Sequence, residues 1–117
     1  MNNRTLYEKE NMMEKESLLT GKKVLIVDDE VDVLETLKDL LPMCDIVAAS
    51  SYEEARKHLE NQWFEIAILD IMGVSGYDLL DICAKKDITA VMLTAHAISQ
   101  DHIKKSYIKG AAYYVPK

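Results

Sequence analysis

Five short apolar runs recur along the chain at nearly equal intervals, and this rhythm constrains the fold more than any other feature. Successive runs begin 20 to 24 residues apart, at residues 24–27, 46–49, 66–69, 90–93 and 113–115. A strand of a parallel sheet reads as a short continuous apolar run because helices cover both of its faces. Each interval holds one crossover helix and two short loops. The rhythm therefore predicts five parallel strands.

The segments between the runs carry the spacing of amphipathic helices. The first stripe ends at Pro42 and consists of Val33, Leu34, Leu37, Leu40 and Leu41. Ser51 and Glu54 predict a capping box at the start of the second helix. A third stripe consists of Leu79, Ile82 and Cys83. A fourth covers residues 98–108, and Gly110 is expected to end that helix. Four helices alternating with five strands predict a doubly wound α/β sheet of strand order 2-1-3-4-5.

The chain of 117 residues has the size of one domain. Residues 1–20 differ from the rest because they carry seven charged side chains and no single apolar stripe. We interpret them as a charged N-terminal extension or linker that is mobile and holds at most a short helix. The domain itself is placed at residues 21–117.

Charge and composition exclude several classes of protein. Twenty acidic and fourteen basic side chains give a net charge of −6, whereas direct nucleic-acid binding needs a basic surface. No apolar run approaches the roughly 20 residues that span a bilayer, and the N-terminus lacks a secretory signal. Cys44 and Cys83 lie in apolar stretches without metal-ligand spacing, which indicates two buried free thiols. We expect a cytoplasmic protein that contacts neither membrane nor nucleic acid.

Polar residues follow the predicted strands at the point where each strand ends. They are Asp28, Asp29 and Glu30 after the first run, Asp70 after the third, Thr94 after the fourth and Lys117 after the fifth. Ligands of such sheets bind beyond the carboxyl ends of the strands, at the point where the strand order reverses. Since strands 1 and 3 are neighbours there, the carboxylates of Asp28, Asp29 and Asp70 are expected to converge.

Three convergent carboxylates require a cation. Each pair repels by roughly 3–4 kcal/mol at about 4–5 Å in an effective dielectric near 20. Hard oxygen ligands in an open site favour Mg²⁺, which keeps several waters and shares its coordination with phosphate. Three carboxylates, one Mg²⁺ and Lys117 sum to zero charge. A phosphoryl group entering the site would meet the ion, Lys117 and the Thr94 hydroxyl, and a carboxylate could accept it as an aspartyl phosphate.

Residues from about 22 to 117 resemble the receiver domain of two-component response regulators. The motifs that carry the resemblance are VLIVDDE at 24–30, ILDIM at 68–72, LTA at 93–95 and GAAYYVPK at 110–117. The resemblance implies a flavodoxin-like fold. It also implies a phosphohistidine donor on a sensor histidine kinase or a phosphotransfer protein. Such a chain is a phosphoacceptor rather than an enzyme, although it catalyses its own phosphorylation and dephosphorylation.

The resemblance also assigns roles to single residues. Asp70 is implied as the phosphoacceptor. Asp28, Asp29, Asp70 and the backbone carbonyl of Met72 are the implied metal ligands. Thr94 is the implied switch hydroxyl, Lys117 the phosphate partner, and Tyr114 the aromatic residue whose rotamer follows Thr94.

Two local features depart from the family pattern. The loop after Asp70 reads IMGVSG, so Gly76 follows about two residues early and the usual proline is missing. Pro116 precedes Lys117, whereas the family usually has proline after the lysine. The short loop supports an alternative function, a phosphorylation-independent interaction module with the same fold. A flavin-binding protein is disfavoured because acidic residues, not a phosphate-binding loop, follow the first strand.

Some of these residues also have purely structural interpretations. Asp28, Asp29 and Glu30 could serve only to begin the first helix, and Thr94 could be a helix N-cap. Tyr114 could be ordinary core packing, since Tyr113 and Tyr114 must point to opposite faces of a strand.

The sequence ends at Lys117, so the fifth helix of the fold is absent from it. We expect apolar surface to be exposed beside strands 1 and 5 as a result. A continuation of the natural chain, a second copy forming a homodimer, or a partner domain would cover that face.

Overall fold

Five parallel strands and three helices make up the described part of the chain. The computed structural model describes residues 18–94, 104–105 and 108–117. The elements are β1 (Lys23–Val27), α1 (Val31–Leu40), β2 (Asp45–Ala49), α2 (Tyr52–Asn61), β3 (Ile66–Asp70), α3 (Gly76–Lys85), β4 (Thr89–Thr94) and β5 (Tyr113–Pro116). Each predicted strand is confirmed, and its bounds differ from the apolar run by at most one residue.

The strands form one sheet of order β2-β1-β3-β4-β5, as the sequence predicts. All four pairings are parallel, and Val27 lies opposite both Ala49 and Leu69. Backbone hydrogen bonds continue this alignment past the strand ends, from Ile71 N to Leu93 O at 3.1 Å and from Lys117 N to Thr94 O at 2.6 Å. The carboxyl ends of β1, β3 and β4 therefore meet at one edge.

The two faces of the sheet carry separate cores. Helices α2 and α3 pack on one face over buried side chains that include Leu25, Leu69, Leu80 and Met92. Helix α1 covers the other face, where Leu34 packs with Val24 and Ile26. The alternation of side chains along each strand separates the two sets.

Local sequence signals account for the helix ends. Ser51 Oγ accepts the Glu54 N–H at 3.2 Å and caps α2 as predicted. The Glu54 carboxylate accepts the N–H of Ser50 at 3.3 Å, so the predicted capping box is shifted by one residue on its second arm. Helix α1 ends at Leu40, two residues before Pro42, because proline cannot continue a helix.

Parts of two predicted segments lie outside the described residues. Of the fourth predicted helix, residues 98–108, only Lys104, Lys105 and Ile108 are described, and all three are helical. Gly110 follows with a φ of +107°, which suits its predicted role as a helix stop. Of the N-terminal extension, residues 1–17 lie outside. No helix in the described ranges is long and apolar enough to cross a membrane.

A groove of about 390 Å³ opens on the α1 face, between α1, β4 and β5. Its apolar lining includes Leu37, Leu40, Leu93 and Val115. The expectation of exposed apolar surface holds on the β5 side, where Val115 is 41% exposed. It is wrong for β1, whose side chains on this face, Val24 and Ile26, are buried under α1.

Both cysteines are free thiols, but only one is fully buried. Cys83 is buried on the core-facing side of α3, whereas Cys44 is half-buried and donates to Leu19 O at 3.5 Å. The expectation of two buried thiols is therefore wrong for Cys44. Burial raises the pKa of Cys83 to about 12, although nearby Lys86 opposes the shift.

This difference predicts selective alkylation. At pH 8.5 iodoacetamide should modify Cys44 at least about tenfold faster than Cys83, because only the thiolate reacts. Peptide mapping by mass spectrometry measures the two rates, and urea should make them equal. Because burial disfavours the Cys83 thiolate, the fold should also lose stability as pH rises from the unfolded thiol pKa of about 8.5 towards 12. Equal native rates would contradict the burial of Cys83.

Candidate functional site

Three polar side chains are buried among the described residues, and all three lie at one edge of the sheet. Asp28 follows β1, Asp70 ends β3 and Thr94 ends β4. Asp28 is fully buried, Asp70 is 5% exposed and Thr94 is 3% exposed. Burying two carboxylates is costly unless a positive charge pairs with them. Their position therefore marks a site rather than ordinary core.

Lys117 supplies that charge. Its Nζ lies 2.7 Å from Asp28 Oδ2 and 3.2 Å from Asp70 Oδ1, and a longer contact of 3.4 Å reaches Glu30 Oε1. The side chain is 13% exposed. Burial opposes the charged ammonium, but the ion pairs with Asp28 and Asp70 outweigh it and raise the pKa of Lys117. The lysine stays protonated and joins the ends of β1 and β3.

Asp28, Asp29 and Glu30 form a compact group of carboxylates. One oxygen from each lies within 4.8 Å of the other two. Asp29 and Glu30 are exposed, and Asp28 Oδ1 also accepts the N–H of Glu30 at 2.9 Å. Asp70 is not a member of this group of three, but it lines the same cavity as Asp29 and Glu30. Repulsion within the group favours a bound cation.

The short loop after Asp70 closes the site from one side. Gly73 N–H donates to Asp70 Oδ2 at 3.1 Å. Met72 is 72% exposed and, like Gly73, lines a cavity of about 170 Å³ together with Asp29, Glu30, Asp70, Thr94 and Lys117. The loop thus reaches the site despite its shortness. Five of the predicted site residues line this opening, namely Asp29, Asp70, Met72, Thr94 and Lys117, whereas Asp28 and Tyr114 are not part of its lining.

Thr94 and Tyr114 are neighbours on the α3 side of the sheet. The Tyr114 hydroxyl oxygen is buried, whereas Tyr113 is 64% exposed, as strand alternation predicts. Burial raises the pKa of Tyr114, the Thr94 side chain opposes that shift, and Tyr77 adds to it. The three side chains therefore share one environment beneath the site.

Two residues of the site were given no functional role from the sequence. Glu30 directly follows the predicted metal ligands Asp28 and Asp29. Its carboxylate contacts Lys117, an interaction that a role in helix capping alone does not explain. As the N-cap of α1 it makes no side-chain capping hydrogen bond. Gly73 lies in the shortened loop after Asp70, and the shortness of that loop is the sequence feature that points to this segment.

The donor set fits a hard divalent cation. Asp28, Asp29, Glu30 and Asp70 bring four negative charges to one edge, and Lys117 brings one positive charge. Three net negative charges around a solvent-connected cavity lined by oxygen donors suit Mg²⁺ better than a soft metal. Asp28, Asp29, Asp70 and the carbonyl of Met72 are the residues that could hold it.

Comparison with known proteins agrees with this geometry. The family model of the response regulator receiver domain matches residues 24–117. A two-component response regulator of Arabidopsis thaliana, ARR18, is 34% identical over 83% of this chain and 16% of its own length. The heme response regulator HssR of Staphylococcus aureus strain Newman is 35% identical over 80% of this chain and 43% of its own length. The chain thus spans less than half of these relatives.

Solved structures share the fold. A CheY-like receiver domain protein from Methanospirillum hungatei superimposes with a TM-score of 0.76 at 28% identity, covering 84% of this chain and 82% of the other. The response regulator TrrA from Thermotoga maritima, solved with Mg²⁺ and BeF, gives a TM-score of 0.71 at 33% identity, covering 82% and 86%. A Burkholderia pseudomallei response regulator with a phosphorylated aspartate and calcium gives 0.74 at 25% identity, covering 82% and 59%.

Sheet order, the buried acidic edge and the matched residues lead to one conclusion. The chain belongs to the response regulator receiver domain family, whose general property is to accept a phosphoryl group in two-component signalling.

Proposed function

We propose that residues 21–117 form a receiver unit in which Asp70 accepts a phosphoryl group, and that residues 1–20 are an extension to it. The observation that carries this proposal is the pairing of buried Asp70 with Lys117 at 3.2 Å beside the acidic group of Asp28 and Asp29. The ammonium partner offsets the cost of burying this carboxylate, whose oxygen is the nucleophile of the proposed transfer. Lys117 is then placed to meet the charge of the incoming group.

Transfer from a phosphohistidine balances simply. One oxygen of the Asp70 carboxylate attacks phosphorus, the P–N bond breaks, and the electron pair stays on the imidazole nitrogen. The product is an aspartyl phosphate. Lys117 and the Thr94 hydroxyl lie around the same cavity and would receive the phosphoryl oxygens. The donor would be a sensor histidine kinase or a phosphotransfer protein.

Asp28, Asp29, Asp70 and the Met72 carbonyl would hold Mg²⁺ in this reaction. When bound, the ion offsets the negative charge that the phosphoryl group adds to an already acidic site. The related structures with Mg²⁺ or calcium support the choice of a divalent ion. Lys117 and the buried ends of β1 and β3 keep the carboxylates in place before the ion arrives.

Thr94 and Tyr114 would transmit the modification. Thr94 ends β4 beside the cavity, and the buried hydroxyl of Tyr114 lies in its environment one strand away. A phosphoryl group that draws the Thr94 hydroxyl towards Asp70 changes the space open to Tyr114. The equilibrium between two arrangements of this part of the sheet would then shift. The target of that shift belongs to the longer proteins that such chains form part of, or to a separate partner.

The test is phosphorylation of the purified chain with acetyl phosphate. With Mg²⁺ present, intact mass spectrometry should show the gain of one phosphoryl group, labile to hydroxylamine as acyl phosphates are. With EDTA the gain should fall at least about tenfold, because a dianion would approach uncompensated carboxylates. A chain that neither binds Mg²⁺ nor gains the group would instead act as an interaction module that keeps only the fold.

A further inference from the structure

Gly73 lies against two acidic residues of the site, Asp70 and Asp29. Its N–H donates to Asp70 Oδ2 at 3.1 Å, and its α-carbon faces the carboxylate of Asp29. We propose that Gly73 is a positioning residue whose missing side chain sets the place of the Asp29 carboxylate while its N–H orients Asp70. This inference rests on the proposed function, since it concerns how the same site holds its cation.

The atoms nearest to the space beside Gly73 belong to Asp29. A Cβ added at Gly73 would lie within 2.5 Å of both Cγ and Oδ2 of Asp29, and all three of its nearest contacts are atoms of that carboxylate. Cβ atoms in proteins essentially never approach closer than 3.0 Å. The backbone is not the constraint here, because Gly73 lacks the left-handed φ that Gly21 and Gly110 adopt. Glycine is required at position 73 because a side chain there would overlap the carboxylate of Asp29.

The loop cannot retreat to make room. Ile71 and Val74 on either side are buried, and the N–H of Ile71 is bonded to Leu93 O. At the far end Gly76 N donates to Ile71 O at 3.1 Å, and a Cβ at Gly76 would lie 2.8 Å from the α-carbon of Ile71. The turn is thus closed on itself, so the exposed Asp29 side chain is the group that must move.

Gly73→Ala separates the two contributions of this residue. Alanine keeps the N–H to Asp70 but displaces the carboxylate of Asp29. We expect the affinity for Mg²⁺, measured by isothermal titration calorimetry, to fall at least about tenfold. The metal-free melting temperature should stay within about 2 °C, because only an exposed side chain is displaced. Ser75→Gly is the control in the same loop: Ser75 has a φ of +54° and makes no capping bond, so its loss should leave Mg²⁺ affinity within about twofold.

A double-mutant cycle identifies the group through which Gly73 acts. In an Asp29→Ala background the added methyl group has nothing to displace, so Gly73→Ala should change the remaining affinity for Mg²⁺ by less than about twofold. An equal loss in both backgrounds would overturn the proposal, and so would full affinity in the single variant.

Crystal structures keep this inference separate from the proposed function. If the wild-type chain binds no Mg²⁺, the proposed function fails, but the position of Asp29 can still be measured. Comparison of metal-free wild type and Gly73→Ala should show the Asp29 carboxylate displaced by about 1 Å or more, since 2.5 Å must open to ordinary contact. An unmoved carboxylate would refute the positioning role.

Discussion

Asp70→Asn is expected to abolish phosphoryl uptake, a loss of at least about a thousandfold against the wild-type chain with acetyl phosphate and Mg²⁺. The carboxylate oxygen of Asp70 is the proposed nucleophile, and an amide at the same position has no comparable lone pair to offer to phosphorus. The shape of the site changes little, because asparagine keeps one oxygen that can accept from Lys117, now 3.2 Å from Asp70 Oδ1. Intact mass spectrometry after a fixed reaction time measures the result.

The control is Asp45→Asn, the same chemical change at an exposed aspartate at the start of β2, the opposite end of the strands. It should accept the phosphoryl group at the wild-type rate. Peptide mapping of the wild-type product should place the group on the peptide that contains Asp70. Undiminished uptake by the asparagine variant would move the acceptor elsewhere, and Asp28 and Asp29 would be the next residues to map.

The fold could be predicted because its signals are local and repeated. A strand buried on both faces must be apolar throughout, so runs such as residues 24–27 can be recognised in the sequence. Helix starts and stops such as Ser51 and Pro42 act within a few residues. The groove beside α1 was foreseen only in part. The sequence does not reveal that Leu34 of α1 packs over Val24 and Ile26 and that both are buried.

The site could be predicted in its members but not in its contacts. The carboxyl ends of parallel strands meet at one edge of a sheet, so residues that follow the strands, such as Asp28, Asp70 and Lys117, are expected there from the sequence. The ion pair of Lys117 with Glu30 depends on side-chain rotamers that a pattern of residue types does not encode. The approach of Gly73 to Asp29 depends on the path of a shortened loop. Contacts of this kind are decided by packing in three dimensions.

Lys117→Met is expected to destabilise the metal-free chain by about 3 kcal/mol at pH 7. The substitution removes the positive charge that lies 2.7 Å from Asp28 and 3.2 Å from Asp70, and it leaves two buried carboxylates without their partner. Breaking a buried ion pair on one side typically costs about 3–5 kcal/mol, and the neighbouring cavity moderates the penalty here. Urea unfolding measures the difference.

Lys22→Met provides the comparison. Lys22 pairs with Glu65 at the same distance of 2.7 Å, but the two side chains are 43% and 34% exposed. Ion pairs exposed to solvent contribute at most about 1 kcal/mol to stability. Lys117→Met should leave the affinity for Mg²⁺ nearly unchanged, so saturating Mg²⁺ should stabilise wild type and variant by about the same amount. The raised pKa of Lys117 fixes the pH dependence: its contribution is complete below the unfolded lysine pKa of about 10.4 and is lost as pH rises beyond it. The difference in unfolding free energy between wild type and Lys117→Met should therefore shrink above that pH. If Lys22→Met and Lys117→Met lose the same unfolding free energy at pH 7, burial does not strengthen the ion pairs of Lys117.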